Sequence, residues 1–264
     1  MISPSTSILF SVGGFSVHFY GVIMFFAIIT ALFVMRYMAK KYYPNVDTEI
    51  LLDILPVVLV FAILGARFYY VVMDFGYYSK HLNEIIAIWH GGLSIHGAII
   101  AGVISGLFMA RIKHISFLKY ADVFAYGLTL GQAVGRFGNY FNCEAFGAPC
   151  NIPYLKLFIP VDFRPLGYEN VAYFHPTFLY ESLWDMAIFF ILFLFVRKIK
   201  GTNCGTIFFA YLLLYSIGRF FIENIRLDSV LNILGIPIAQ IVSIIIIIIA
   251  LVGLFLVNRA KQTN

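Results

Sequence analysis

Between positions 236 and 257 the chain runs for 22 residues without a single charged side chain. About 20 apolar residues in helical form cross the roughly 30 Å hydrocarbon layer of a bilayer. In lipid a backbone finds no water to bond, so it must satisfy its own amides and carbonyls, which selects helix over irregular chain. The rest of the sequence agrees. Of 264 residues, 61% are hydrophobic and 12% charged, about half the charge of an ordinary soluble domain. The 28 Phe and 17 Tyr exclude a disordered chain. Three Cys in a chain of this length exclude a disulfide scaffold. The net charge of +5 gives no reason to expect nucleic acid as a partner.

Seven stretches of this kind are expected to span: 17–35, 50–73, 91–110, 120–137, 177–196, 205–222 and 236–257. Residues 1–16 contain no Lys or Arg, so the first stretch lacks the basic leader of a signal peptide and reads as a retained helix. Basic residues alternate between the connections. Arg36, Lys40, Lys41, Arg111, Lys113, Lys119, Arg197, Lys198, Lys200, Arg259 and Lys261 fall on one side; Lys80, Lys156, Arg164 and Arg226 fall on the other. Cytoplasmic loops carry the excess of Lys and Arg, so the N-terminus is expected outside and the C-terminus inside. No repeat or linker divides the chain, and residues 1–264 read as one all-α polytopic membrane domain. The loop at 139–176, rich in Pro, Gly and aromatic residues, is long enough for a small external cap.

Three basic residues remain, Arg67, Arg136 and Arg219, all within or at the outer ends of apolar stretches. An Arg at the bilayer centre costs roughly 2.5–3.5 kcal/mol even on the lenient insertion scale. Taken singly, each reads as a snorkelling anchor or half of a structural ion pair. As a group with His96, His175, Tyr180, Glu181 and Glu223 they fall towards the same outer side, which points to one polar site opening there.

The most informative segment is Gly135-Arg-Phe-Gly-Asn-Tyr-Phe-Asn-Cys-Glu-Ala-Phe-Gly147. Its glycines suit a chain leaving a helix to wrap a ligand. Arg136 offers a planar charged fork that fits phosphate; Asn139 and Asn142 offer neutral donors, and Glu144 an acceptor. On residues alone this is an anion-binding helix end or a polar cap. Arg219 and Glu223, four apart, share a helical face and pair. His96, in Trp89-His-Gly-Gly-Leu-Ser-Ile-His-Gly97, carries the one side chain that takes a proton near neutrality without perturbation. His90 stands at the wrong spacing to share a metal with it, and no metal or cofactor is expected. Tyr20 reads as an interfacial aromatic. Cys143 and Cys150 either pair on an oxidising face or stand as inert thiols, the latter being the default.

Together, Gly135–Gly147, the segments HGGLSIHG, HPTFLYES and GRFFIENIR, and HFYG near the start resemble the bacterial prolipoprotein diacylglyceryl transferases, in order and from Tyr20 to Gln240. One position departs from the family pattern: Cys143 precedes Glu144, where a small residue such as Gly is expected. The resemblance implies a seven-helix body with a small periplasmic head in the bacterial cell membrane. It implies transfer of the diacylglyceryl group of phosphatidylglycerol to the lipobox cysteine of a prolipoprotein signal peptide, releasing glycerol phosphate, the first step of lipoprotein maturation. His96 is then the essential histidine and candidate base, and Arg136 and Arg219 the candidate phosphate and leaving-group clamps. Tyr20, Arg67, Asn139, Glu144, Gly147 and Glu223 are candidate substrate-binding residues. The rival reading is a transporter or channel for an anionic solute, which would also use intramembrane Arg and Glu; against it, no two related halves are visible.

Overall fold

A backbone with few polar neighbours closes its hydrogen bonds locally, and the chain is accordingly mostly helical. In the computed structural model, which describes residues 1–4, 6–13, 15–198, 204–227, 232–233 and 235–262, the helices are α1 (Phe19–Tyr42), α2 (Thr48–Met73), the one-turn α3 (Phe75–Tyr78), α4 (Ile95–Ile112), α5 (Phe117–Phe141), α6 (Thr177–Lys198), α7 (Thr206–Glu223) and α8 (Ile238–Gln262). Three short antiparallel pairs join them: β1 (Ile8–Val12) with β2 (Phe15–His18), β3 (Leu157–Phe158) with β4 (Tyr173–Phe174), and β5 (Asn232–Ile233) with β6 (Ile236–Pro237). Lys200, one of the basic residues used for orientation, lies outside the described residues.

Helices α1, α2, α4, α6, α7 and α8 are long and apolar enough to cross a membrane, and no more than 33% of the apolar stretch of any of them is covered by the protein itself. Phe33, Phe68, Ile104, Phe108 and Phe255 stand more than half exposed along their outer faces. A soluble monomer rarely exposes apolar patches of such extent. This is a polytopic membrane protein.

The expected stretches shift at their starts. Residues 17–18 belong to β2, 236–237 to β6, and 91–94 to a turn in which Gly91 and Gly92 hold φ of 88° and 74°. The stretch at 120–137 becomes α5, the one long helix among the described residues whose composition is not apolar enough for a span on its own. Instead it is enclosed: of its 25 residues only Leu128 and Phe137 are exposed. Its polar groups are met by protein. The Asp122 carboxylate accepts the backbone amides of Gly205 and Phe208, each at 2.8 Å, and so caps α7 from another helix. Tyr211 donates to Gln132 Oε1 at 3.0 Å, and Ser182 to the Ala133 carbonyl at 2.8 Å.

The chain divides into two compact units. The first, Met1–Tyr42 with Ala121–Asn264, holds α1, most of α5, and α6 to α8. Small residues let its helices approach. Gly127, Gly131 and Gly138 of α5 lie against Met35, Ala31 and Tyr20 of α1, and a Cβ at Gly127 or Gly138 would enter those side chains. Gly218 of α7 likewise faces the Trp184 indole of α6, which donates to the Leu214 carbonyl at 3.0 Å. Between α5 and α6 the chain builds a small core of its own from Ala145, Phe146, Leu157, Ile159, Phe174 and Phe178. The N-terminus is tied to it: Ile2 bridges Phe158, and Tyr140 donates to the Ile2 carbonyl at 2.5 Å.

The second unit, Tyr43–Tyr120, packs α2 on α4 where Gly65 meets Gly97 and Ala101 so closely that neither glycine has room for a Cβ.

Candidate active site

In the first unit, polar residues that the sequence scatters over three helices meet at one carboxylate. Glu181, in the second turn of α6 and 3% exposed, lies 2.8 Å through Oε2 from Nη1 of Arg136 on α5. Its Oε1 accepts from Arg219 of α7 and, at 3.1 Å, from Arg226 just beyond α7. Glu223 holds Arg219 from one helical turn away at 2.7 Å, as their spacing predicts, and stands 4.0 Å from Arg226. Arg136 also donates to the Tyr215 hydroxyl at 3.3 Å. A narrow cleft runs between these groups, lined by Arg136, Glu181, Trp184, Asp185, Tyr215, Arg219 and Ile222.

A guanidinium carries five N–H donors in a fixed fork. Arg136 pairs with Glu181 and donates to Tyr215, Arg219 donates to Glu181 and pairs with Glu223, and both side chains remain about one-fifth exposed. Donors on each fork are thus left over for an anion entering the cleft. The two carboxylates hold the cations together without covering them.

The Gly135–Gly147 segment serves this arrangement differently from expectation. Gly135 and Gly138 do not end the helix, since α5 continues to Phe141; Gly138 instead makes room for the Tyr20 ring. Just past the end of α5, the chain turns back so that the Asn139 carbonyl accepts the Glu144 amide at 2.9 Å. The exposed Glu144 carboxylate accepts from the side chains of Asn139 at 3.2 Å and Asn142 at 3.3 Å. Cys143 and Ala145 hold φ of 55° and 53°, a left-handed turn that favours Gly, which accounts for the small residue expected before Glu144. Gly147 bridges Arg226, and a Cβ there would strike the Ile225 carbonyl, Thr177 and His175. Lacking one, it lets residues 225–227 pass close enough for Arg226 to reach Glu181. His175 is fixed by Tyr180, 2.9 Å from its Nδ1. Cys143, Cys150 and Cys204 are free thiols. Burial pushes the Cys143 thiol up, in keeping with an inert residue.

The second unit carries the other two candidates. His96 lies in the first turn of α4, half-buried, its ring 6.0 Å from that of Tyr69 and hydrogen-bonded to none of the described residues. Arg67, 6% exposed, donates to the carbonyls of Glu84 at 2.5 Å, Ile85 at 2.8 Å, Gly91 at 2.8 Å and Gly92 at 2.9 Å. Its fork holds the turn that leads into α4.

Sequence reasoning passed over Asp185, Tyr215 and the site role of Arg226, and left Glu181 without one. The signal was present. Tyr211, Tyr215, Arg219 and Glu223 recur every fourth residue along α7, as do Glu181 and Asp185 on α6, and Gln132 and Arg136 on α5. Four-residue spacing in an apolar helix marks one polar face.

A family model described as prolipoprotein diacylglyceryl transferase matches residues 7–256. The chain belongs to this family. Among its relatives is the phosphatidylglycerol–prolipoprotein diacylglyceryl transferase of Acaryochloris marina, 45% identical over 262 residues, which cover 99% of this chain and 93% of that protein. The proteins of the same name from Thermosynechococcus vestitus and Thermotoga maritima are 41% and 40% identical, over 96% of this chain and 92% and 85% of theirs. The transporter reading finds no support among these relatives.

Proposed function

We propose that the protein transfers the diacylglyceryl group of phosphatidylglycerol to the lipobox cysteine of prolipoproteins, in the bacterial plasma membrane, and releases glycerol phosphate. The convergence of Arg136, Arg219 and Arg226 on Glu181 beside a cleft carries this reading, together with membership of the family. In the reaction the thiol sulfur bonds to the glycerol carbon while the carbon–oxygen bond to phosphate breaks, its electron pair staying on the phosphate. Charge grows on the departing oxygens, and fixed guanidiniums where it grows lower the barrier. Arg136 and Arg219 take that role. Glu223, Glu181 and Arg226 set their positions; Asn139, Glu144 and Gly147 shape the headgroup pocket, and Tyr20 bonds lipid or peptide. A thiol with its ordinary pKa of about 8.5 must lose a proton before it attacks, and His96 accepts it. Arg67 contributes through the turn it holds ahead of His96.

All seven long helices, α5 included, span the bilayer in this reading, with the N-terminus outside and the C-terminus in the cytoplasm. Residues 139–176 form the periplasmic head of a single domain. The pairing of Ile2 with Phe158 supports the shared side of N-terminus and head. The enclosed polar face of α5 fits a span that faces protein.

The test is purified protein with phosphatidylglycerol and a lipobox peptide, followed by mass spectrometry. A gain of one diacylglyceryl unit, absent from a Cys→Ser peptide, is expected, and no gain would overturn the reading. Arg136→Ala and Arg219→Ala should each abolish transfer. His96→Gln should lose activity at neutral pH and regain it at high pH; unchanged activity at neutral pH would end the base role.

A further inference from the structure

One side chain in the cleft has no work in the account above. Asp185 follows Glu181 by one turn of α6, is 1% exposed, and lines the same cleft as Arg136, Tyr215 and Arg219. Yet its Oδ2 is buried with no hydrogen-bond partner, and among the described residues no Lys or Arg nitrogen lies within 4.0 Å of it, although Arg136 is close enough to act on it through space. Arg136 and Arg219 line the same cleft, and both turn to Glu181 instead. A buried carboxyl that accepts nothing is costly. It fits a site completed by a ligand that brings a donor.

We propose that Asp185 reads the lipid headgroup, accepting a hydrogen bond from a glycerol hydroxyl while the adjacent phosphate rests on Arg136 and Arg219. This rests on the transferase reading and deepens it to headgroup selection. The juxtaposition supplies the logic: an anion site and an unsatisfied acceptor share one cleft, and the headgroup of phosphatidylglycerol is a phosphate followed by hydroxyl donors. A site built to bond a hydroxyl discriminates strongly against an analogue without it, because the buried acceptor is then left bare.

The experiment compares phosphatidylglycerol with phosphatidylethanol, which keeps the phosphodiester and both acyl chains but has no headgroup hydroxyl. Each is presented in mixed micelles with a lipobox peptide to the wild-type protein, Asp185→Ala and Asp185→Asn, and transfer is followed by mass spectrometry. Wild type should prefer phosphatidylglycerol in kcat/KM by about 10- to 100-fold, the worth of a hydrogen bond to a charged group. Asp185→Ala should lose most of that preference by slowing on phosphatidylglycerol alone, mainly through KM, while its rate on phosphatidylethanol stays within about threefold. Asp185→Asn, which keeps the shape and a weaker acceptor, should retain part of the preference. Equal losses on both lipids would mean a merely structural role and overturn the proposal. So would a wild type indifferent to the hydroxyl, which decides the matter even if Asp185→Ala fails to fold. A wild type inactive on phosphatidylglycerol would instead overturn the transferase reading itself.

Discussion

Glu181 illustrates how little a residue's type reveals of its task. In the sequence it is a lone acid near the start of an apolar stretch; in the structure it neutralises parts of three guanidiniums while 3% exposed. Removing one partner of a buried ion pair leaves the other charged and unsolvated, at a cost of about 3–5 kcal/mol. Glu181→Ala should therefore lower the unfolding midpoint of the detergent-solubilised protein sharply, besides stopping transfer. Arg136→Lys should not restore activity, because an ammonium cannot hold Glu181, Tyr215 and a phosphate with one planar fork. The thiols give an independent check on burial. Cys204 is exposed, Cys143 and Cys150 are buried, and burial keeps Cys143 protonated beyond the ordinary thiol range. Near pH 8 a maleimide should label the native protein at Cys204 and reach the other two only after unfolding, as peptide mapping would record.

At the scale of elements, α5 organises the first unit. It presents glycines to α1, accepts Ser182 of α6, and caps α7 through Asp122. Gly127→Leu would push against Met35 and the Ala31 carbonyl, so a loss of roughly 1–3 kcal/mol is expected, as for other overpacked cores. Asp122→Ala removes the cap and bares two amides at the start of α7, worth about 1–2 kcal/mol. Thermal unfolding in detergent measures both. The stretch at 120–137 reads as a span, yet Asp122, Gln132 and Arg136 of α5 look foreign to lipid; they are tolerated because other parts of the protein meet each of them. Gly135 and Gly138 misled for a related reason. The freedom that lets glycine leave a helix also lets two helices touch, and only the neighbouring α1 distinguishes the two uses.

For the whole molecule, topology is the first property to test. The proposed orientation predicts that a fluorescent protein fused after the C-terminus matures in the cytoplasm. Alkaline phosphatase inserted within residues 139–176, the proposed periplasmic head, should be active in the periplasm, and the opposite pattern would refute the orientation. The sequence by itself determined the class of solvent, the approximate bounds of the long helices, and the pairing of Arg219 with Glu223. These follow from hydropathy and helical periodicity, which are properties of consecutive residues. Only the tertiary structure decided that Arg136, Arg219 and Arg226 share Glu181, that Arg67 is spent on four carbonyls, and that Asp185 faces the same cleft with nothing to accept. Those facts depend on how closely helices approach, which is set by glycines meeting side chains far away in the chain, and no local pattern encodes a distance between segments.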